Sequence, residues 1–591
     1  FQPGIKSRVN PNTTKKAIEL TYKLAPFHAK RLDDIQSLYY SEESFDDFYY
    51  GKGSTYGDIH GSVGILFEQA SSRALTTESN QGKLTYAFSV RNQFMTTLGT
   101  LDGLVSLRSE FLKYHRDFYA TSKDVATKNK IKGYLINLSE NRTRAQFLIR
   151  TLQSHRVEVY DLNKPITMKG NKFEKGEAVI VPTDQAQTRF IAGVMEKVVD
   201  FEDSLFYDVS AWTLPLAYGV DYYEMKQKPN AFLGSKLQFI DPDGGKLFGG
   251  KANTAYLMPW NRYFNPKSLY TIIDKGIIPR LTTAPFSAKI SGKEMKFKRG
   301  TIVIPVSQRD ADATILPSEV HSLMEEIVQN DHVQIYATNS ALTPNGPDLG
   351  GPFQGVLNKP KVAILSGDGT SAYGAGEIWH LVNHRMQIPV SLIDANNLNR
   401  SKLSKYNTMI LPDGSYSKLD SSDIKSMKEW VAGGGSLISV QSASRWVVKN
   451  GLIKEELVEN EKISYDIPYD QVRLVSGAQR IGGAIFNVEM DNTHPIAYGY
   501  NDTHPVFRRG TAFFKLSEAS AANVARYTSS PLISGYIAEE KLSELKNTAS
   551  IIAKKQGSGR IILFADNPAF RAFWYGTHGL LMNAVFFGQV F

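Results

Sequence analysis

The sequence predicts a multidomain α/β protein, and three observations lead there. Its 591 residues are about four times the length of an ordinary domain. Beyond a Pro- and Gly-rich stretch at 343–352, short apolar runs alternate with helical patterns, the grammar of a doubly wound parallel sheet. Between them, one strand–helix–strand pattern occurs twice at matched spacing, which marks a duplicated α/β region. The units expected are therefore 1–125, 126–342 and 353–591.

In the first unit, Ile18, Leu20, Tyr22 and Leu24 alternate with Glu19, Thr21 and Lys23, the period of a half-buried strand. A glycine-rich loop, Gly51-Lys52-Gly53-Ser54-Thr55-Tyr56-Gly57, leads to the short apolar run Val63-Gly64-Ile65-Leu66-Phe67-Glu68, expected as a buried strand. Phe94, Leu98, Leu101, Val105 and Leu112 recur at helical spacing.

In the second unit, Tyr134-Leu135-Ile136, a helix through Leu152, and Val157-Glu158-Val159-Tyr160 lead to Phe173-Glu174-Lys175-Gly176 and Val179-Ile180-Val181-Pro182. The same order returns from Tyr256-Leu257-Met258 to Phe297-Lys298-Arg299-Gly300 and Ile302-Val303-Ile304-Pro305. In the third, strands are expected at 362–365, 390–393, 409–411, 437–440 and 560–564, with helices at 377–385 and 421–431.

Composition narrows the chemistry. The chain has no cysteine, which excludes disulfides, thiolate zinc sites and a cysteine nucleophile. The formal charge of +9 comes from short, interrupted basic stretches, which read as solvated surface and not as a nucleic-acid interface. The near-apolar stretch Gly579 to Phe591 is too short to span a bilayer. The chain opens with Phe1-Gln2-Pro3-Gly4, so the lack of a targeting signal says nothing about location.

Glu68 closes the apolar run, where a carboxylate at a strand's carboxyl end stands at the ligand-binding rim of an open α/β sheet. It reads either as a general acid or base, or as a rim glutamate paired with Arg73. His380 and His384 share a helix face at a zinc-type spacing, but Leu381 stands where a zincin has glutamate. His155-Arg156-Val157-Glu158 is expected in a strand, where i and i+3 point apart. Ser366-Gly367-Asp368-Gly369 with Asp394 is a weak dinucleotide pattern. The aromatic run Asn567 to Tyr575 fits packing at a domain seam.

Residues Ser41 to Tyr56, with Tyr50 before the glycine-rich loop, resemble the mobile-loop region of carboxypeptidase A-type zinc carboxypeptidases, in a bacterial multidomain branch. Val63 to Arg73 resembles the strand that carries that family's catalytic glutamate. The resemblance implies Glu68 as general base toward zinc-bound water and Tyr50, or its neighbour Tyr49, as the tyrosine closing over substrate. Arg73 would orient Glu68 or the loop. The family's zinc ligands lie upstream of that glutamate. Here only His28 and His60 precede Glu68, and neither begins His-x-x-Glu. The resemblance thus implies the C-terminal portion of a peptidase domain, with zinc held by residues outside this chain, peptide C-termini as substrates, and a secreted or periplasmic setting. Alone, the chain should neither hold catalytic zinc nor cleave peptides.

Ile410 to Gly414 and Trp430 to Val440 resemble the class I glutamine amidotransferase fold, a flavodoxin-like sheet. Where that family has its nucleophile, this chain reads Gln441-Ser442-Ala443-Ser444, which implies a non-catalytic module. The alternative for the whole chain is a binding or assembly protein with a vestigial peptidase portion.

Overall fold

The computed structural model describes residues 1–43, 46–80, 82–140, 142–206, 208–238, 245–307, 315–459 and 466–591. Ser44 and Phe45 of the loop resemblance lie outside the described residues.

The chain is α/β, but its first region is mostly helical. Residues 18–24 are not a strand: they belong to the helix Lys15–Asp33, capped by the Thr14 hydroxyl, which accepts from the Ala17 amide. The buried positions Ala17, Leu20, Thr21, Leu24 and His28 follow the helical period, which the alternation had masked. Val63 to Glu68 is not a strand either, and Leu66 is 46% exposed. The run has no sheet to join: its amides at Gly64 and Leu66 donate to the side chains of Asp58 (3.0 Å) and Gln2 (2.7 Å).

The helix expected around Phe94 is present as Tyr86–Ser106, followed by Arg108–Ala120, but its faces are reversed. It packs on Lys15–Asp33 through Asn92, Thr96, Gly99 and Gly103. A Cβ at Gly103 would lie 2.2 Å from Leu24 Cδ1, so the small residues set this close approach. The opposite stripe, Tyr86, Val90, Phe94, Leu101, Leu104 and Val105, faces solvent, with Phe94 60% and Val105 78% exposed. A contiguous exposed apolar stripe of this kind is unusual on a monomer's surface.

The middle region holds two α/β units of one plan. The first runs Gly133–Asn137, helix Arg142–Ser154, Tyr160–Leu162, the hairpin Ile166–Met168/Asn171–Phe173, and Ala178–Pro182. The second runs Ala255–Met258, helix Asn265–Asp274, Arg280–Thr282, the hairpin Phe286–Ile290/Lys293–Phe297, and Ile302–Pro305. In each, the last strand lies antiparallel between the first two: Ile180 faces Leu135 and Tyr160, and Val303 faces Leu257 and Arg280. The repeated Phe-x-x-Gly has a physical cause, since Gly176 (φ 83°) and Gly300 (φ 86°) both occupy the left-handed region. The stretch 343–352 does not end this region, because Gln354–Val356 pairs with Arg280–Thr282 at the sheet's edge.

Among the described residues, the C-terminal sheet has nine strands. Val390–Asp394, Val362–Ser366, Thr408–Leu411, Ser436–Val440 and Gly559–Phe564 lie side by side and parallel. This second-first-third-fourth-last order is that of a flavodoxin-like doubly wound sheet. Ala484–Met490, Thr503–Arg508, Asn523–Ser534 and Ala549–Gln556 extend it antiparallel and enter the chain before the last parallel strand. The near-apolar C-terminus forms the helix Tyr575–Phe587, buried on nearly all sides as its composition requires. Among the described residues, no helix is long and apolar enough to cross a membrane.

Candidate functional site

Glu68 is exposed on an irregular segment and makes no ion pair with the exposed Arg73 among the described residues. Neighbouring Phe67 is held 4.8 Å from the His28 ring, and the Glu68 carboxylate acts on the Phe1 ammonium. Burial lowers the pKa of that ammonium, and Glu68 pulls it back up. Among the described residues, Glu68 stands at no parallel-sheet rim.

Tyr50 does not sit on an open loop. It is buried, its hydroxyl 3.2 Å from Thr13 Oγ1 and its ring 5.9 Å from Trp212. Burial pushes its hydroxyl far above the ordinary phenol range. Tyr49 is equally enclosed, between Trp212 (5.1 Å) and the Arg571 guanidinium (5.2 Å). The segment is fixed by the Lys52–Asp46 pair and by Asn10 donating to the Phe48 carbonyl (2.9 Å). The mobile-loop role is therefore not one these tyrosines can take in this conformation.

The histidine patterns are absorbed by packing. His155 lies in a turn stacked on Phe190 (4.4 Å), while Glu158 pairs with Lys236 at 2.6 Å. His380 and His384 stand 5.0 Å apart, ring to ring, where the helix widens to π geometry. Among the described residues, no three His, Asp or Glu side chains come together as a metal site. The Asp394 carboxylate caps the following turn through the Asn396 amide (2.8 Å) and lies against Gly367.

At the carboxyl edge of the C-terminal sheet, Gln441 joins Ser436–Val440 to the helix Ser442–Lys449 with φ 53° and ψ −119°. This is the sharp strand-to-helix turn that elsewhere presents a nucleophile. Ser444 is buried and bonded to Ser439 (2.9 Å) and the Phe564 carbonyl (2.9 Å). Neither Ser442 nor Ser444 bonds a histidine among the described residues, and Gln441 holds the strained conformation of the turn. Gln441→Gly is expected to raise the urea midpoint of this unit by the equivalent of about 1 kcal/mol. A lower midpoint would show that the glutamine side chain holds the turn.

Arg571 and Glu377 mark the seam between units. Arg571 pairs with Asp208 (2.8 Å), and Glu377 accepts from Asn567 Nδ2 (2.8 Å) and the Arg571 amide (2.7 Å). Phe570 and Trp574 are buried in the core of the first middle unit, so the aromatic run does serve packing.

A cleft opens where the two middle units meet the C-terminal unit. It encloses about 450 Å³ including its open mouth. Arg144, Arg262, Asn261, Tyr263, Tyr498 and Tyr500 line it with Trp260, Tyr575 and Asn583, and no acidic residue is among its walls. Arg144 donates to the Gly576 carbonyl (3.0 Å), as does Tyr500 (2.9 Å). Burial lowers the Arg144 pKa, and Tyr500, Tyr263 and, from beyond ion-pair distance, Asp221 oppose this. No local motif announces this cleft, because its walls come from five separated stretches of chain.

No family model and no curated protein matches the chain. Similar solved structures include a ThuA-like protein from Bacteroides uniformis, 13% identical, covering 38% of this chain and 89% of that one, with a TM-score of 0.27. PurLQS from Thermotoga maritima is 14% identical over 38% of this chain and 96% of its own (TM-score 0.25). A glutamine amidotransferase from Thermotoga maritima is 11% identical over 38% and 98% (TM-score 0.24). Likenesses this distant carry no functional argument; the fold class rests on the strand order itself.

Proposed function

We propose that this chain is a portion of a metallocarboxypeptidase-like protein acting on the C-terminal residues of peptides. In this reading Glu68 is the general base, and the zinc ligands belong to polypeptide that packs on the outward stripe of Tyr86–Ser106. The observation that carries it is the reversed helix, whose apolar side chains face water while its small and polar ones are buried. A layer covering that stripe would remove its apolar surface from water. The described residues alone do not fit a zinc ion, so no catalytic step is assigned to this chain by itself.

The test compares the chain with a form extended at its N-terminus, measuring zinc content and release of C-terminal residues from peptides. The short form is expected to hold no stoichiometric zinc and to release nothing. The extended form is expected to hold about one equivalent and to be active. An extended form without zinc would leave the second reading, a binding or assembly protein. That reading is favoured by the enclosed Tyr50 and by the glutamine at the nucleophile turn.

A further inference from the structure

We propose that the cleft between the middle and C-terminal units is a binding site for a small carboxylate. This goes beyond the peptidase reading and does not depend on it. The cleft gathers two guanidinium groups, Arg144 and Arg262, with the amide of Asn261 at its exposed mouth and tyrosine rings along its walls. Its lining holds no carboxylate. Arg144 forms no ion pair within 4 Å among the described residues and donates to the neutral Gly576 carbonyl. A partly buried guanidinium whose acting carboxylate, Asp221, stands beyond ion-pair distance has lost hydration that an anion would restore.

The geometry also selects among anions. A smaller pocket beside the cleft shares Arg144, Asn261, Arg262 and Tyr263, so the cationic end narrows. The limited room there suits a planar group of a few atoms. Guanidinium presents parallel N–H donors that match a flat carboxylate in pairs. The wall itself is rigid: Trp260 donates to Asn583 at 2.6 Å, and Asn583 donates to the Ile496 and Tyr498 carbonyls at 2.8 and 2.9 Å. The site is therefore pre-formed, which lowers the ordering cost of binding.

The carboxylate could belong to a sugar acid or to the end of a peptide. Titration calorimetry with glucuronate and with N-acetylglycine, each beside its neutral counterpart (glucose and N-acetylglycinamide) and beside inorganic phosphate, separates these. At least one carboxylate is expected to bind, with its neutral counterpart at least ~10-fold weaker. The tighter of the two identifies the source. Arg144→Gln is expected to weaken binding ~10-fold or more. Because that variant could disturb folding, Asn261→Asp serves as the second test: it places a like charge at an exposed position and is expected to weaken binding by a similar factor. The proposal is overturned if neither carboxylate binds at about 10 mM, if phosphate binds more tightly than both, or if Asn261→Asp leaves affinity unchanged.

Discussion

Asp566→Asn is expected to cost the C-terminal unit about 3–5 kcal/mol, read as a fall in its urea midpoint. Asp566 lies just past the last parallel strand, buried with Arg508 and Tyr527. Arg508 reaches its Oδ1 at 3.3 Å and the Tyr527 hydroxyl at 2.8 Å, Ser550 donates to Oδ2 at 2.6 Å, and Tyr527 donates to Oδ1. Burial pushes the Asp566 carboxyl up, while Arg508, Ser550 and Tyr527 pull it back. The amide variant keeps the shape but strands the Arg508 charge in a low-dielectric interior. Replacing both partners by apolar residues, Arg508→Met with Asp566→Leu, should recover part of the loss, because the uncompensated charge goes too. A midpoint change worth less than about 1 kcal/mol in the single variant would mean that the pair is reached by solvent.

In the N-terminally extended form, Glu68→Gln is expected to lower kcat about 1000-fold while KM and zinc content stay near those of the parent. Its exposure here makes the experiment clean: an outward-facing glutamate without an Arg73 ion pair contributes little to folding, so the variant should unfold no more easily. Loss of turnover with unchanged stability and metal content then reports proton transfer at the carboxylate. A drop smaller than about 10-fold would remove Glu68 from the chemistry.

Legibility from sequence followed burial. Four of the five parallel strands could be read because each is a short, mostly apolar run buried on both faces, and such runs have few other uses; the edge strand Val390–Asp394, with Leu392 56% exposed, was legible from its place in the alternation. The duplication could be read because Gly176 and Gly300 are required by backbone conformation rather than by packing. Ile18 to Leu24 failed because the same residues satisfy two periods, and the helical one shows only when the pattern is followed on to His28 and Leu32 and back to the Thr14 cap. Val63 to Glu68 failed because an apolar run becomes a strand only where a neighbour offers its backbone, and here Asp58 and Gln2 take the amides instead. The helix around Phe94 was found but its orientation was not, since periodicity says that an apolar face exists and not what covers it. The cleft depends on residues that tertiary folding alone brings together, from Arg144 to Asn583.

The placement of the antiparallel strands bears on how the protein is made. Ser444 and the Phe564 carbonyl are bonded across 120 positions, and the strand ending at Phe564 sits in mid-sheet. On a ribosome, the first four parallel strands emerge with one side of their sheet unpaired and must wait for Gly559–Phe564. Such long-range closure is slow, and a chain stopped before Gly559–Phe564 would leave a sticky sheet edge for chaperones or proteases to find.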